Sequence, residues 1–491
     1  MGAGKPTAGK TTSLSLDALL STARAALPCP VPAIRQPMQP ILEAWRHRPT
    51  HRRVWTLAMP MILSNLTVPL VALVDSTVAG HLPQTQDLGA VAVGSAIYAL
   101  PVWSLGFLRM GTTGFAAQAE GAGDRIALRT VQVQALLLAA LFGVGVGLLM
   151  LPLLPWLIGQ MHATPALAVR GLDYLQLRLL GLPAALLNYA LAGWFIGAQR
   201  AGTTLSLLLV ANLVNIALNL LFVLGFGWGV PGIALASACG EWCGALYGLW
   251  CARRAVRGWP GRVDWQALRG WAHWRPLLMV NRDIFIRTLA LEGVFFSISL
   301  LGARLGDATV AANALLLNGL MLTAFGLDGL ANAVEALCGH AIGARDAQAL
   351  RRALVVAGGW SLLGSVGYAL LFAAGGHLFV DLQTSLPEVR AVAYHALPWL
   401  AALPVVAVWS YLLDGLFIGA TRGREMRDGM LVAVALFALL AWAARPWGND
   451  GLWLAFLAFM AVRGAGLGWI AWRLRRREAW ITPLPHLHEA A

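Results

Sequence analysis

Twelve apolar runs, each long enough to cross a bilayer, occupy the chain from residue 54 onward. A hydrocarbon core of about 30 Å takes roughly 20 residues of helix, and within it the backbone must satisfy its own hydrogen bonds, so runs of this kind fold as helices. They cover approximately 54–80, 88–108, 130–157, 172–196, 204–226, 231–252, 277–303, 308–337, 352–374, 389–419, 429–445 and 450–472. The fourth, eighth and tenth are long enough to hold a kink or an interfacial turn. With 58% hydrophobic and 12% charged residues among 491, the composition excludes an ordinary soluble globule. The fold class is therefore an all-α polytopic membrane protein.

The formal charge of +13 invites a nucleic-acid reading, but the arginines lie in short clusters between the runs and are not gathered in one domain. Twenty-three of them, from Arg46 to Arg477, fall in one alternating set of loops, and the other set holds Arg170, Arg304, Arg390 and Arg445. Positive charge stays on the cytoplasmic side of short loops, so both termini are expected there, which an even number of spans requires. The expected location is the inner (cytoplasmic) membrane. Residues 1–50, rich in Pro, Ser and Thr and without a signal-peptide core, read as a disordered cytoplasmic tail. Initiation near Met38 is the alternative. Residues 475–491 read as a second cytoplasmic tail.

An internal repeat organises the rest. At an offset of 222, residues 189–200 (YALAGWFIGAQR) match 411–422 (YLLDGLFIGATR) at eight of twelve positions, and 119–129 match 341–351 at seven of eleven. Each copy holds six spans, an even number, so both halves enter the membrane in the same direction and form a parallel repeat about an axis along the membrane normal. The expected lobes are 51–252 and 277–474. The cytoplasmic loop 253–276 joins them, with Trp259, Trp265, Trp271 and Trp274 among arginines placing it at the headgroup interface.

Two six-helix lobes suit a transporter, whose function rests on polar groups among the spans. A carboxylate at a helix centre costs about 2.5–3.5 kcal/mol on insertion scales. Asp75 lies on the first span behind Pro60 and Pro69, each of which removes a backbone hydrogen bond and lets the helix bend. It reads as a proton-driven switch or as an acid pairing locally, for instance with His81. Asn212, Asn215 and Asn219 share a face of the fifth span, as pocket residues or as interhelical hydrogen-bonding groups. Glu241, mid-span in the sixth helix, is placed in the same amino-terminal pocket. Glu292 is mid-span in the seventh, with Arg287 five residues earlier as a partly snorkelled alternative partner. Asp328 and Glu335 share a face of the eighth span. Glu335 and Asp414 read as ion pairs with loop arginines, and Asp283 with Arg287, at i and i+4, as a structural pair. No Walker loop, HExxH motif or Ser-His-acid cluster is found, so the chain reads as neither an enzyme nor directly coupled to ATP. No cofactor or metal is expected. The five cysteines lack paired metal-site spacings and read as helix-packing residues.

The strings LAMPMILSNLTVPLVALVDSTVAGHL, FLRMGTTGFAAQAEGA, NRDIFIRTLALEG, LDGLANAVEALCGHAIGARD and YLLDGLFIGATRGREMRDGM carry a family likeness. Over residues 51–478 the chain resembles the multidrug and toxic compound extrusion (MATE) family, and within it the DinF-like branch. The resemblance implies a V-shaped pair of six-helix lobes in a monomer that exports cationic or amphipathic compounds in exchange for H⁺ or Na⁺, with the bilayer and small molecules as its partners and no nucleic acid. It implies that Asp75 is the cation-binding switch and that Pro60 is the proline at which its helix bends. Many relatives add an acid on the fifth helix, four positions after an Asn; this chain has Asn219 there, after Asn215. Glu292 falls within about a residue of the coupling acid that some branches carry on the seventh helix. The competing reading is a flippase for lipid-linked precursors, a related architecture expected to have a strongly cationic central cavity.

Overall fold

In a computed structural model of the chain, every regular element among the described residues is helical. The structure describes residues 2, 41–82, 84–161, 164–259, 263–477 and 480. The chain divides into two units, residues 1–43 and 44–491; of the first only residues 2 and 41–43 are described, and the second holds every long helix. Most of the expected disordered tail, the alternative start at Met38 and most of the expected carboxy-terminal tail lie outside the described residues. The first long helix begins at Arg48, within the segment 1–50 read as a tail.

The helices follow the twelve apolar runs. They are α1 (Arg48–Gly80), α2 (Thr85–Ser104 continued by Phe107–Gly121), α3 (Arg125–Gln160), α4 (Pro165–Leu179 and Leu182–Gly197) and α5 (Ala201–Asn219, extended by a π-helical turn, Leu220–Gly225). There follow α6 (Gly229–Val256), α7 (Trp271–Arg304), α8 (Asp307–Gly343), α9 (Ala347–Asp381), α10 (Pro387–Gly419), α11 (Gly423–Ala443) and α12 (Gly448–Arg476). Ten of these are long and apolar enough to cross a membrane, and α4, bent by 45° between its two parts, makes eleven. The twelfth is α6, whose 28 residues span about 42 Å at 1.5 Å per residue. It is long enough, and Glu241, Arg253 and Arg254 lower its apolarity. Of the three runs long enough to hold a kink or an interfacial turn, the fourth is bent, in α4, while α8 and α10 each run as one continuous helix. A break at Leu105–Gly106 in α2 was not foreseen.

The repeat offset reappears in the backbone. Asp124 caps α3 by accepting from the amides of Ile126 and Ala127 at 3.0 and 2.8 Å, and Asp346, its counterpart in the second half, caps α9 by accepting from Gln348 and Ala349 at 2.9 Å each. These caps satisfy amides that the helix leaves free. The turns before them take left-handed conformations at Gly123 (φ 71°) and Arg345 (φ 54°), and those after α4 and α10 do so at Gln199 (φ 56°) and Thr421 (φ 55°). Three of these four residues carry a side chain, so the turn geometry is held at a steric cost.

Packing depends on close backbone approach. A Cβ on Gly193 would lie 2.3 Å from the Arg109 carbonyl oxygen, and one on Gly415, the equivalent glycine of the second half, would lie 2.6 Å from that of Ala331. Between the halves, α2 meets α8 at Gly121 and Gly343, where a Cβ would fall 2.0 Å from the carbonyl oxygens of His340 and Gln118 respectively. Only glycine permits these approaches, the small-residue packing of membrane helices. They sit at the ends of α2 and α8 that lead into the arginine-bearing loops, so the two halves are in backbone contact there.

The lobes also exchange helix ends. Val54, Leu57, Ala58 and Met61 of α1 belong to a core built from α8, α9 and α10, whereas Leu277 and Ile284 of α7 belong to the core of the first half. The opposite faces of many helices expose large apolar side chains, such as Leu141, Leu148 and Leu370. Such a surface suits lipid and would aggregate in water. In the joining loop, the Arg129 guanidinium donates to the carbonyls of Val256 and Trp259 at 2.6 and 2.8 Å, and Arg125 stacks over Trp259. Trp265 and Trp271 remain exposed.

Candidate functional site

α1 stays helical through Pro60 and Pro69. Side-chain hydroxyls work around the two prolines, Ser64 donating to the Pro60 carbonyl and Thr67 to that of Ser64, both at 2.7 Å. The helix touches both halves. Asn212 of α5 donates to Thr67 at 2.7 Å, and Asn219 donates to the Asp75 carboxylate at 2.6 Å. On its other side Asn65 donates to the Phe325 carbonyl of α8 at 3.1 Å, and Ile62 lies against Gly329. Asp75 is half-buried and in no ion pair among the described residues; His81 bonds to the Thr77 carbonyl and not to Asp75.

The remaining Asn of the face, Asn215, donates to Ser237 of α6 at 2.9 Å, so it is an interhelical tie. Glu241 is already neutralised. Arg178 of α4 grips it with two hydrogen bonds of 2.7 Å, Tyr98 donates to it at 3.2 Å, and the guanidinium stacks over the Tyr98 ring at 3.9 Å. This is bidentate recognition, the strong form of a guanidinium–carboxylate contact.

A cavity of about 350 Å³, lined mostly from the second half but also by Trp103, Arg109 and Tyr189 of the first, gathers most of the other candidates. Glu292, Asp328, Glu335 and Asp414 line it together with Arg109, Arg287 and Arg463. Asp414 accepts from Arg287 and from Arg463, the latter at 2.5 Å, and all three side chains are buried. Arg109 crosses from α2 to donate to Asn332 at 2.5 Å and to Glu335 at 3.3 Å on α8. Two expectations are corrected here. Asp283 and Arg287 do not pair with each other, because Asp283 faces Arg282 and Arg427 at 2.9 and 2.7 Å while Arg287 turns to Asp414. The arginines that neutralise Glu335 and Asp414 come from helices and not from loops.

The membrane acids thus fall into two groups. Glu241, Glu335 and Asp414 are held by arginine, whereas Asp75, Glu292 and Asp328 are in no ion pair among the described residues. An acid already bonded to a guanidinium has its charge compensated and attracts a further cation less strongly. The second group is available to a proton, Na⁺ or a cationic solute. Arg109, Arg178, Arg463 and Tyr98 were not expected as site residues. The signal for Arg178 and Arg463 was present, since each lies inside an apolar run, and Arg109 stands one residue past the second run and in neither set of loops.

Comparison with known proteins adds a relationship to this geometry. The family model described as MatE matches residues 60–221 and again 284–443, one copy in each half. DNA damage-inducible protein F of Escherichia coli K12 is 44% identical over 437 residues, covering 88% of this chain and 94% of that protein. Multidrug resistance protein PmpM of Pseudomonas aeruginosa is 28% identical, covering 86% and 91%. Among solved structures, a MATE protein in a bent conformation matches with a TM-score of 0.80 at 19% identity, covering 90% of this chain and 99% of its own. An outward-facing multidrug resistance MATE family transporter matches at 0.78 and 19%, covering 88% and 97%.

Proposed function

The chain belongs to the MatE family, whose members are multi-pass membrane transporters and not enzymes, and from that premise we propose that it expels cationic or amphipathic compounds in exchange for H⁺ or Na⁺ by alternating access. The observation that carries this reading is the sorting of the acids by arginine. It leaves Asp75 on the helix that bonds to both halves, and Glu292 and Asp328 facing the cavity. Asp75 and Glu292 are the coupling residues of the proposal. Neutralising Asp75 weakens its bond to Asn219 and alters the hold of α5 on α1, while drug and ion compete for a limited supply of negative charge. Such exchange works because the two ligands favour different states, and a ligand shifts an equilibrium only through its differential affinity. The same reading has a monomer in the inner membrane with both termini cytoplasmic. A lipid-linked precursor flippase is not favoured, because carboxylates outnumber arginines in the cavity.

Dye efflux from proteoliposomes under an imposed pH or Na⁺ gradient tests the proposal in wild type, Asp75→Asn and Glu292→Gln. Wild type is expected to respond to one of the gradients. Asp75→Asn is expected to insert and fold normally yet lose gradient-driven efflux. Transport by wild type under neither gradient would overturn antiport, and full coupling in Asp75→Asn would remove that residue from the mechanism.

A further inference from the structure

A second cavity, of about 720 Å³, lies away from the membrane acids, between the first turns of α1 and the turn joining α4 to α5. Arg48, Arg52, Arg53 and Thr56 line it from α1, and Gln199 lines it from the turn. No carboxylate is among its described lining residues, and none of the three arginines is in an ion pair among the described residues. This contrasts with Arg109, Arg178, Arg287 and Arg463, each of which is bonded to an acid.

The Gln199 amide nitrogen is buried and has no hydrogen-bond partner among the described residues. An unmade bond at a buried polar group costs about 1–3 kcal/mol. The repeat shows how the same turn is satisfied elsewhere. Thr421, the counterpart of Gln199 in the second half, is bonded by the Gln118 side chain at 3.3 Å. The residue that corresponds to Gln118 is His340, and it makes no such bond to Gln199. The turn in the second half is closed by the chain itself, whereas in the first half Gln199, its amide nitrogen unpartnered among the described residues, lines a cavity with three arginines.

The start of α1 adds to this. His47 offers no side-chain cap and the first turn has no acid, so the positive end of a 33-residue helix faces the same region without a negative partner. Below the arginines, Arg52, Thr56, Met59, Leu63, Leu66 and Leu70 follow one another at helical spacing and are all exposed. A polar head followed by an apolar stripe on one helical face matches a phospholipid aligned with the bilayer.

We propose that this cavity binds a phosphate-bearing anion, supplied by the headgroup of an anionic phospholipid whose acyl chain lies along the exposed stripe of α1. The occupant bridges α1 and the α4–α5 turn, and so bears on the helix that carries Asp75. The proposal stands apart from the transport reading.

The test uses the full chain in neutral detergent. Native mass spectrometry counts bound phosphatidylglycerol against phosphatidylcholine, and thermal unfolding compares inorganic phosphate with chloride at matched ionic strength. The variants are R52Q/R53Q and, as an equal loss of charge from two other arginine-bearing loops, R269Q/R424Q. Wild type and R269Q/R424Q are expected to retain phosphatidylglycerol in preference to phosphatidylcholine. R52Q/R53Q is expected to bind it about tenfold more weakly for each arginine removed, the loss typical of a hydrogen bond to a charged group. Stabilisation by phosphate that R52Q/R53Q abolishes, without retention of either lipid, supports the anion site and overturns the headgroup as its source. Equal retention of both lipids with no phosphate effect, or equal binding by R52Q/R53Q and wild type, overturns the proposal.

Discussion

Asp75 and Asp414 are both aspartates inside membrane helices, and arginine separates their roles. Asp414 is the shared acceptor of two buried guanidinium groups. Removing one partner of a buried ion pair leaves uncompensated charge and costs about 3–5 kcal/mol. Asp414→Asn is therefore expected to lower the thermal unfolding temperature of the detergent-purified protein well below that of Asp75→Asn, which gives up one bond to a neutral amide. Similar unfolding temperatures for the two variants would refute this distinction. Both acids were visible in the sequence, because a carboxylate in an apolar run has nowhere to hide. Their partners were not. The spacing of Asp283 and Arg287 satisfied the i, i+4 rule for an isolated helix, yet α11 brings Arg427 to Asp283 and α10 brings Asp414 to Arg287. Tertiary neighbours decide such pairings, and no local pattern encodes them.

Among the helices, the crossing of α2 and α8 at Gly121 and Gly343 joins the two halves at the arginine-rich end. Gly343→Val places side-chain atoms where the Gln118 carbonyl oxygen stands, an overpacking that costs about 1–3 kcal/mol. The helices must separate, and Cys338, fully buried on α8 five residues before Gly343, reports it. In a background with the other cysteines replaced by serine, Gly343→Val is expected to raise the rate at which maleimide alkylates Cys338; an unchanged rate would show that the crossing yields elsewhere. The spans themselves were legible because their apolar length is set by the bilayer. The break in α2 was not, since Leu105 and Gly106 sit in a run whose hydropathy continues smoothly through them. The length of the fourth run left room for a kink or an interfacial turn in α4, and Gly181 with Pro183 marks where the bend falls.

At the level of the whole molecule, the offset of 222 is read from two short strings, and the paired caps, left-handed turns and glycine contacts of the structure fall within those same strings. What the repeat could not reveal is the exchange of helix ends. The early turns of α1 complete the core of the second half, and those of α7 complete the core of the first. Residues 1–256 expressed alone are therefore expected to reach low membrane levels, and co-expression with residues 257–491 is expected to restore them. Immunoblots of the membrane fraction measure this, and normal levels of the lone first half would show that the exchange contributes little to stability. The cavity that holds Glu292 and Asp328 carries one further consequence. With three arginines and four carboxylates, its formal charge is cancelled by one monovalent cation. In the alternating access proposed above, a cavity so loaded would change sides as a neutral body and draw no current. Empty, it carries one negative charge through the field, at about 2.3 kcal/mol per 100 mV if it crosses the whole membrane. In the proposed exchange the transporter returns loaded, so a one-for-one swap of monovalent cations at this cavity is indifferent to membrane voltage.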